Sequence, residues 1–203
     1  MPCLLCILKR TYISLKEQKT ADELARLLSS SDYRVLCLGG LDLFILHARE
    51  TIRVLESPVT FVDITRSLVD GPKVVEPPPL HSDFIARLAS KIAASFAGDG
   101  DQVIRVELDG VNGTTIFGVL LGYPVVYWYS VCQDGDESAG TCLDGREVVV
   151  CKTQWDSMDA VGALSFSYPK CLAGLLEPSI KSWADSRRVS ILKSVENREK
   201  YAL

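Results

Sequence analysis

The chain has 203 residues, 47% of them apolar and 24% charged, with a net charge of −4 and a pI near 5.3. That length sets a single domain as the expectation, large enough to bury a core without a disulfide or metal staple. No face or tail gathers Lys and Arg, which excludes the basic footprint of a nucleic-acid binder.

The opening "MPCLLCILKR" has an apolar run too short for a signal-peptide core, with basic residues on its far side. Cysteines at 3, 6, 37, 132, 142, 151 and 171 make an odd set without a regular framework. Reduced thiols and a cytoplasmic protein are therefore expected. Cys3 and Cys6 form one C-x-x-C, but no second pair stands at zinc spacing, so no metal site is assigned. "TADEL" (20–24) is a capping box, and Leu24, Leu27 and Leu28 continue it as an amphipathic helix to about Ser30.

"YRVLCLGG" predicts a buried strand and "LDLFILH" (41–47) its partner, with the turn at Gly39-Gly40. "VTFVDIT" (59–65) predicts another strand, followed by a Pro-rich connection. Ser82 is placed as the cap of the helix "DFIARLASKIAASF", whose Phe84, Ile85, Leu88, Ile92 and Phe96 share one face and which Gly98 stops. "DQVIRVELDG" alternates as a strand does.

No charged side chain lies between Asp109 and Asp134. Gly122 followed by Pro124 is a helix-end signal, so Thr114 to Leu121 reads as a short buried helix and Val125 to Ser130 as a central strand. The alternative is a β-hairpin turning at Gly122-Tyr123, which the β-branched Thr114, Thr115 and Ile116 would suit. A membrane span is excluded: the apolar part, Ile116 to Tyr129, is about 14 residues against the roughly 20 required. Gly122 and Pro124 interrupt it, and both flanks are acidic. Past an acidic, Gly-rich loop (133–145), "REVVVCKT" and "GALSFSYP" predict two antiparallel strands. "CLAGLLEPSIKSWADS" is helical with a break or new start at Pro178, and "RRVSILKSV" fits strand and helix equally.

"TTIFGVLLGYPVVYWY", then the Cys of "TCLDG", then "LSFSYP", resembles the eukaryotic family named "chromosome 1 open reading frame 74". The likeness extends upstream through "VLCLGG", "LFILH" and "FVDIT", and GYPVVYW is its specific part. Beside that family the chain reads as short at its N-terminus. The resemblance implies no activity to carry over.

No assembled catalytic set or cofactor fingerprint stands in the sequence. The histidines are His47, ending a predicted strand, and His81, ahead of a predicted helix. There is no G-x-S-x-G elbow, and Cys37 before Gly39-Gly40 reads as a small core residue rather than a nucleophile. Counting a calcium loop from Asp134 puts Ala139 at the turn glycine and Gly145 where a bidentate Glu is required, so the pattern fails. Asn112-Gly113-Thr114 matches a glycosylation acceptor that a cytoplasmic protein does not use.

The remaining candidate is "LDGVNGTT" (108–115), a strand–turn–helix loop. Asn112, Gly113, Thr114 and Thr115 would offer free amides and hydroxyls to a phosphate or carboxylate, with Asp109 holding a polar or metal-bridged substrate atom. The loop lacks a P-loop Lys and a G-x-G-x-x-G spacing, and needs Arg105, Arg146 or another distant cation to supply full charge. The structural alternative is a tight turn at Gly110 and Gly113 with a threonine cap.

The fold expected is α/β, with α+β as the variant: one domain over 1–203, a mixed sheet with helices packed on it and a C-terminal antiparallel meander. The function favoured is a non-catalytic protein-interaction or scaffold protein with a protein partner, without nucleic acid, membrane or cofactor. The alternative is a small-molecule enzyme or binding protein with an anionic ligand at 109–115.

Overall fold

The computed structural model describes residues 6–7, 21–26, 28, 32–39, 42–96, 101–130, 142–155 and 164–198. Cys3, the cap residue Thr20, Gly40, Gly98, Cys132 and loop residues 133–141 lie outside them. In chain order the elements are β1 (Cys6–Ile7), α1 (21–26), β2 (Tyr33–Leu38), β3 (Asp42–His47), α2 (Ala48–Leu55), β4 (Thr60–Asp63), α3 (Ser67–Asp70), β5 (Lys73–Val75) and α4 (Pro79–Ala94). There follow β6 (Val103–Val106), α5 (Gly113–Leu120), β7 (Val125–Trp128), β8 (Glu147–Trp155), β9 (Ser165–Pro169), a 3-10 turn (Lys170–Leu172), α6 (Ala173–Arg187) and β10 (Val189–Asn197). Helices and mixed sheets together make the α/β class expected. The chain divides into two compact units, one from 1–57 and 78–122, the other from 58–77 and 123–203.

The first unit is built on a sheet in the order β1-β3-β2-β6, with β2 and β3 antiparallel and β2 and β6 parallel. Val35, Leu36 and Leu38 of β2 are all buried, as in a strand covered on both faces. Ala21 and Ala25 of α1 pack with Val35 and Val103 on one face. On the other, Phe44, opposite Leu36, meets the ring of Phe117 on α5 at 5.7 Å. Arg34 is buried, a charge the sequence reading left unassigned. Its Nε and Nη2 donate to the Ser95 carbonyl at 3.2 and 2.9 Å, and the guanidinium lies 4.0 Å from the Phe96 ring centre. A cation at the last carbonyls of α4 meets the negative end of that helix.

Two elements differ from expectation here, and a third, the helix over 114–121, agrees with it. α2 was not anticipated; its Thr51, Val54 and Leu55 are buried, a stripe too short to stand out in sequence. α4 begins at Pro79 with Pro78 as its N-cap, not at Ser82. Proline suits the first helical position, since its fixed φ is helical and its missing N–H would be unbonded there. The Pro78 carbonyl accepts the amides of His81 and Ser82 at 2.8 and 3.0 Å. The stretch 114–121 is helical rather than a hairpin: α5 runs Gly113–Leu120, and Gly122, at φ 69, terminates it with its amide on the Val119 carbonyl at 2.9 Å.

The second unit holds two three-stranded sheets. In the order β5-β4-β7, β4 is antiparallel to β5 and parallel to β7. β7 therefore ends its sheet among the described residues instead of lying at its centre, and it closes at Trp128 rather than Ser130. The second sheet is wholly antiparallel in the order β10-β8-β9, with α6 between β9 and β10. Val62, Ile64 and Val125 share one core with Val148, Cys151, Phe166 and Tyr168, and with Leu176 and Ile180 of α6.

α6 runs unbroken through Pro178, against the expected break. Proline there removes one backbone bond and crowds the carbonyl four residues earlier. That residue is Gly174, exposed like Pro178 itself, so water can reach the released carbonyl. The opposite face, Leu176, Ile180 and Ala184, is buried and holds the helix on the sheet. The ambiguous tail resolves as strand: Arg188, at φ 53, ends α6 and β10 pairs with β8 over nine positions.

Candidate functional site

The 108–115 loop leaves β6 and enters α5. Leu108 accepts the Val111 amide at 2.9 Å, and the two residues between, Asp109 and Gly110, have φ of 42° and 83°. Positive φ at both central positions is the type I′ arrangement, for which Asp-Gly is a favoured pair. Asp109 is thus an exposed turn residue. Gly113 is half-buried: a Cβ there would stand 3.2 Å from Leu108 Cδ1, and one on Gly39 would stand 2.9 Å from the same atom. At Gly113, one of the loop glycines open to a ligand in the sequence reading, the close approach is made by the Leu108 side chain.

Asn112 is the N-cap of α5 and is 3% exposed; its side chain makes no capping bond. Its carbonyl accepts the Ile116 amide at 3.1 Å, and its own amide donates to His81 Nε2 at 3.1 Å. One of the four candidate amides is therefore bonded to protein. The same burial closes the glycosylation motif. Thr114 is exposed and Thr115 buried. Of the cations suggested for the loop, Arg105 is paired with Asp22 at 2.9 Å, and Arg146 donates to the Ser67 carbonyl within the second unit.

His81 is the residue that sequence reasoning misplaced. It lies inside α4 rather than ahead of it, on the buried stripe with Phe84, Leu88 and Ile92. Its spacing of three and seven from Phe84 and Leu88 was the available signal. Burial pushes its pKa below 6.5, partly offset by a side-chain hydrogen bond with Asn112. An Nε2 that accepts an N–H belongs to the neutral ring, with its proton on Nδ1. His47 instead sits edge-on to Tyr33 with ring centres 5.3 Å apart, and Cys37 is half-buried on β2, paired with Leu43 and Arg105. His81 is thus bonded to the loop through Asn112.

A second polar cluster, unforeseen in sequence, lies on the C-terminal sheet. Tyr168 donates to Glu177 Oε1 at 3.0 Å, and Lys193 Nζ reaches the same oxygen at 2.8 Å. Lys193 pairs in register with Cys151 on β8. Burial raises the Cys151 thiol to about 11 and the Tyr168 phenol to about 12. Tyr127 is likewise raised to about 12 by burial, with its hydroxyl 3.2 Å from Ser167 Oγ. All three groups are neutral at physiological pH, so the cluster presents hydrogen bonds and an ion pair, not a nucleophile. Among the described residues no three His, Cys, Asp or Glu side chains are grouped to hold a metal, and no helix is long and apolar enough to cross a membrane.

The sequence profile of a family described as a domain of unknown function (DUF4504) matches residues 15–198. Neither a curated protein nor a solved structure matches the chain.

Proposed function

We propose, from the premise that the chain belongs to the DUF4504 family, that it is a non-catalytic interaction protein that takes an extended partner segment along β10. The observation that carries this is the β10 edge. Nine residues, Val189–Asn197, pair with β8 on one side and with no other strand among the described residues. Leu192 and Val195 are 54% and 53% exposed along it. Long apolar edges are normally blunted, most often by lysine. The lysine present here, Lys193, is drawn onto Glu177. An added strand would supply the missing backbone partners and cover those two side chains.

The test is a photo-cross-linking residue at position 192 or 195, with position 181 on α6 as control, in cells. One discrete protein adduct from the β10 positions, lost in a folded Leu192→Lys, Val195→Lys variant, is the expected result. Equal labelling from all three positions, or none, rejects the reading.

The second reading keeps a small anionic ligand at Asp109 and Asn112–Thr115. The start of α5 and the left-handed turn before it support that reading, although the Asn112 amide is already used. Phosphate titration followed by amide NMR at Gly113 and Thr114 tests it; unmoved resonances reject it. We further propose that this family is the one the GYPVVYW segment resembles, chromosome 1 open reading frame 74. The odd, irregularly spaced set of seven cysteines supports a reducing compartment, the cytoplasm. Both compact units would then fold as one domain.

A further inference from the structure

The free edge of β10 carries a pairing pattern of its own. Thr153 of β8 donates its amide to the Leu164 carbonyl at 2.9 Å, on the side away from β10. Thr153 stands opposite Ile191, so Ile191 also turns its N–H and C=O outward, toward the free edge. Lys193, Val195 and Asn197 follow by alternation, and residues 192 to 197 are all exposed. A strand that pairs here must meet those residues with outward groups of its own. It must also bring like faces together.

We propose that the segment taken by β10 is β10 of a second copy of this chain, antiparallel about a two-fold axis through Leu192, so that two three-stranded sheets become one of six strands. This rests on the reading of the β10 edge given above and names its partner. A two-fold axis perpendicular to the sheet keeps each face on its own side and pairs outward groups with outward groups. With the axis at Leu192, that side chain meets its own copy in a non-hydrogen-bonded pair, the kind in which side chains stand closer. Ile191 and Lys193 exchange backbone hydrogen bonds on either side of it. Val195 meets Val189 of the second copy, so the two exposed apolar side chains of the edge both gain apolar neighbours. At each end of the ladder Glu196 comes opposite Arg188, an exposed cation just ahead of the strand.

Sliding the two copies destroys the match. An axis at Lys193 sets two ammonium groups opposite each other and Leu192 against Ser194. An axis at Ile191 sets Leu192 against Ser190 and leaves Val195 beyond the ladder, and one at Ser194 sets Leu192 against Glu196. Among these registers the one at Leu192 alone joins apolar to apolar on both faces and acid to base at the ends. Lysine normally guards such an edge, but Lys193 Nζ is held by Glu177 at 2.8 Å, which leaves its aliphatic stem to face Ile191. An edge contact of this length is smaller than a standard protein interface, so the association is weak and governed by concentration.

The test uses the full chain. Sedimentation equilibrium from about 1 µM to about 500 µM should show monomer passing to dimer, and a folded Leu192→Lys, Val195→Lys variant should remain monomeric. Register is read from single cysteines in a Cys171→Ser background, with that background alone as control. Opposed Cα atoms at position 192 lie within disulfide reach, whereas position 190 or 194 stands about 14 Å from itself in the second copy. Under mild oxidation Leu192→Cys should cross-link at least about tenfold faster than Ser190→Cys or Ser194→Cys, and a mixture of those two should cross-link with each other. A wild-type chain that stays monomeric to about 500 µM overturns the proposal. So does a dimer that survives the double lysine change, or one that cross-links equally from 190, 192 and 194. If the chain is monomeric while a photo-cross-linker at 192 or 195 still yields one adduct with a different protein, self-pairing fails and the β10 edge reading stands. A monomer without any adduct rejects both.

Discussion

Burial decides what the reactive side chains of this protein are able to do. His81, 2% exposed, is held neutral, so its protonation must oppose folding. With the folded pKa below the unfolded one, the unfolded chain binds the proton first. The stabilising contribution is full above pH 6.5 and is lost as pH falls from there through the folded pKa. The urea midpoint of wild type should accordingly decline below pH 6.5 more steeply than that of His81→Gln. Parallel curves would show that His81 does not titrate in this window. His81→Ala removes the acceptor of a buried amide and should lose about 1–3 kcal/mol at neutral pH, before any cavity cost. The thiols divide the same way. Cys151, raised to about 11, has about one thiolate in ten thousand at pH 7, while Cys171 is exposed. Brief alkylation of the native protein, read by peptide mass spectrometry, should modify Cys171 and spare Cys151. Equal labelling would contradict the packed core around β8.

Elements survive local conflicts when packing outweighs them. α6 keeps Pro178 in its interior because the face that suffers is exposed and the opposite one carries Leu176, Ile180 and Ala184 into the core. Pro178→Ala restores the bond to Gly174 and relieves the crowding, worth up to about 3 kcal/mol in a helix interior. The more flexible unfolded chain returns about 0.4–1 kcal/mol of that. A net rise in unfolding midpoint is the expected outcome, measured by thermal melting; a fall would mean the proline shapes a needed kink. β10 shows the same dominance of context. "RRVSILKSV" carries no decisive period, and strand wins through nine paired positions on β8 and the Lys193–Glu177 bridge.

The chain passes from the first compact unit to the second at residue 58, back at 78, and across again at 123. β2 finds its parallel partner β6 only after the chain has contributed β4 and β5 to the other unit. Each unit is thus completed by distant segments, which argues for cooperative folding of the whole. Fluorescence of Trp128, Trp155 and Trp183 reports the second unit, and Cys37 accessibility the first. In urea the two midpoints should coincide; separated midpoints would make the units independent and end the single-domain proposal.

Much of the element inventory was legible in the residues themselves. Alternation and apolar runs located β2, β3, β6, β8 and β9, and the Gly122-Pro124 stop favoured α5 as a helix. These signals are local, set by side-chain period and by the backbone freedom of glycine and proline. The same locality hid the rest. α2, α3 and β5 are short, with too few residues for a period to emerge. The Pro78-Pro79 start of α4 is legible in the residues, but Ser82 competes with it as a cap signal. What residues 108–115 do was beyond local reading, because a glycine that admits a ligand and one that admits Leu108 look alike in sequence. Only the tertiary structure set Leu108 against Gly39 and Gly113, and His81 against Asn112, 31 positions away. A hydrogen bond across that separation depends on how α4 packs beside the β6–α5 turn, a relation that no spacing along the chain encodes.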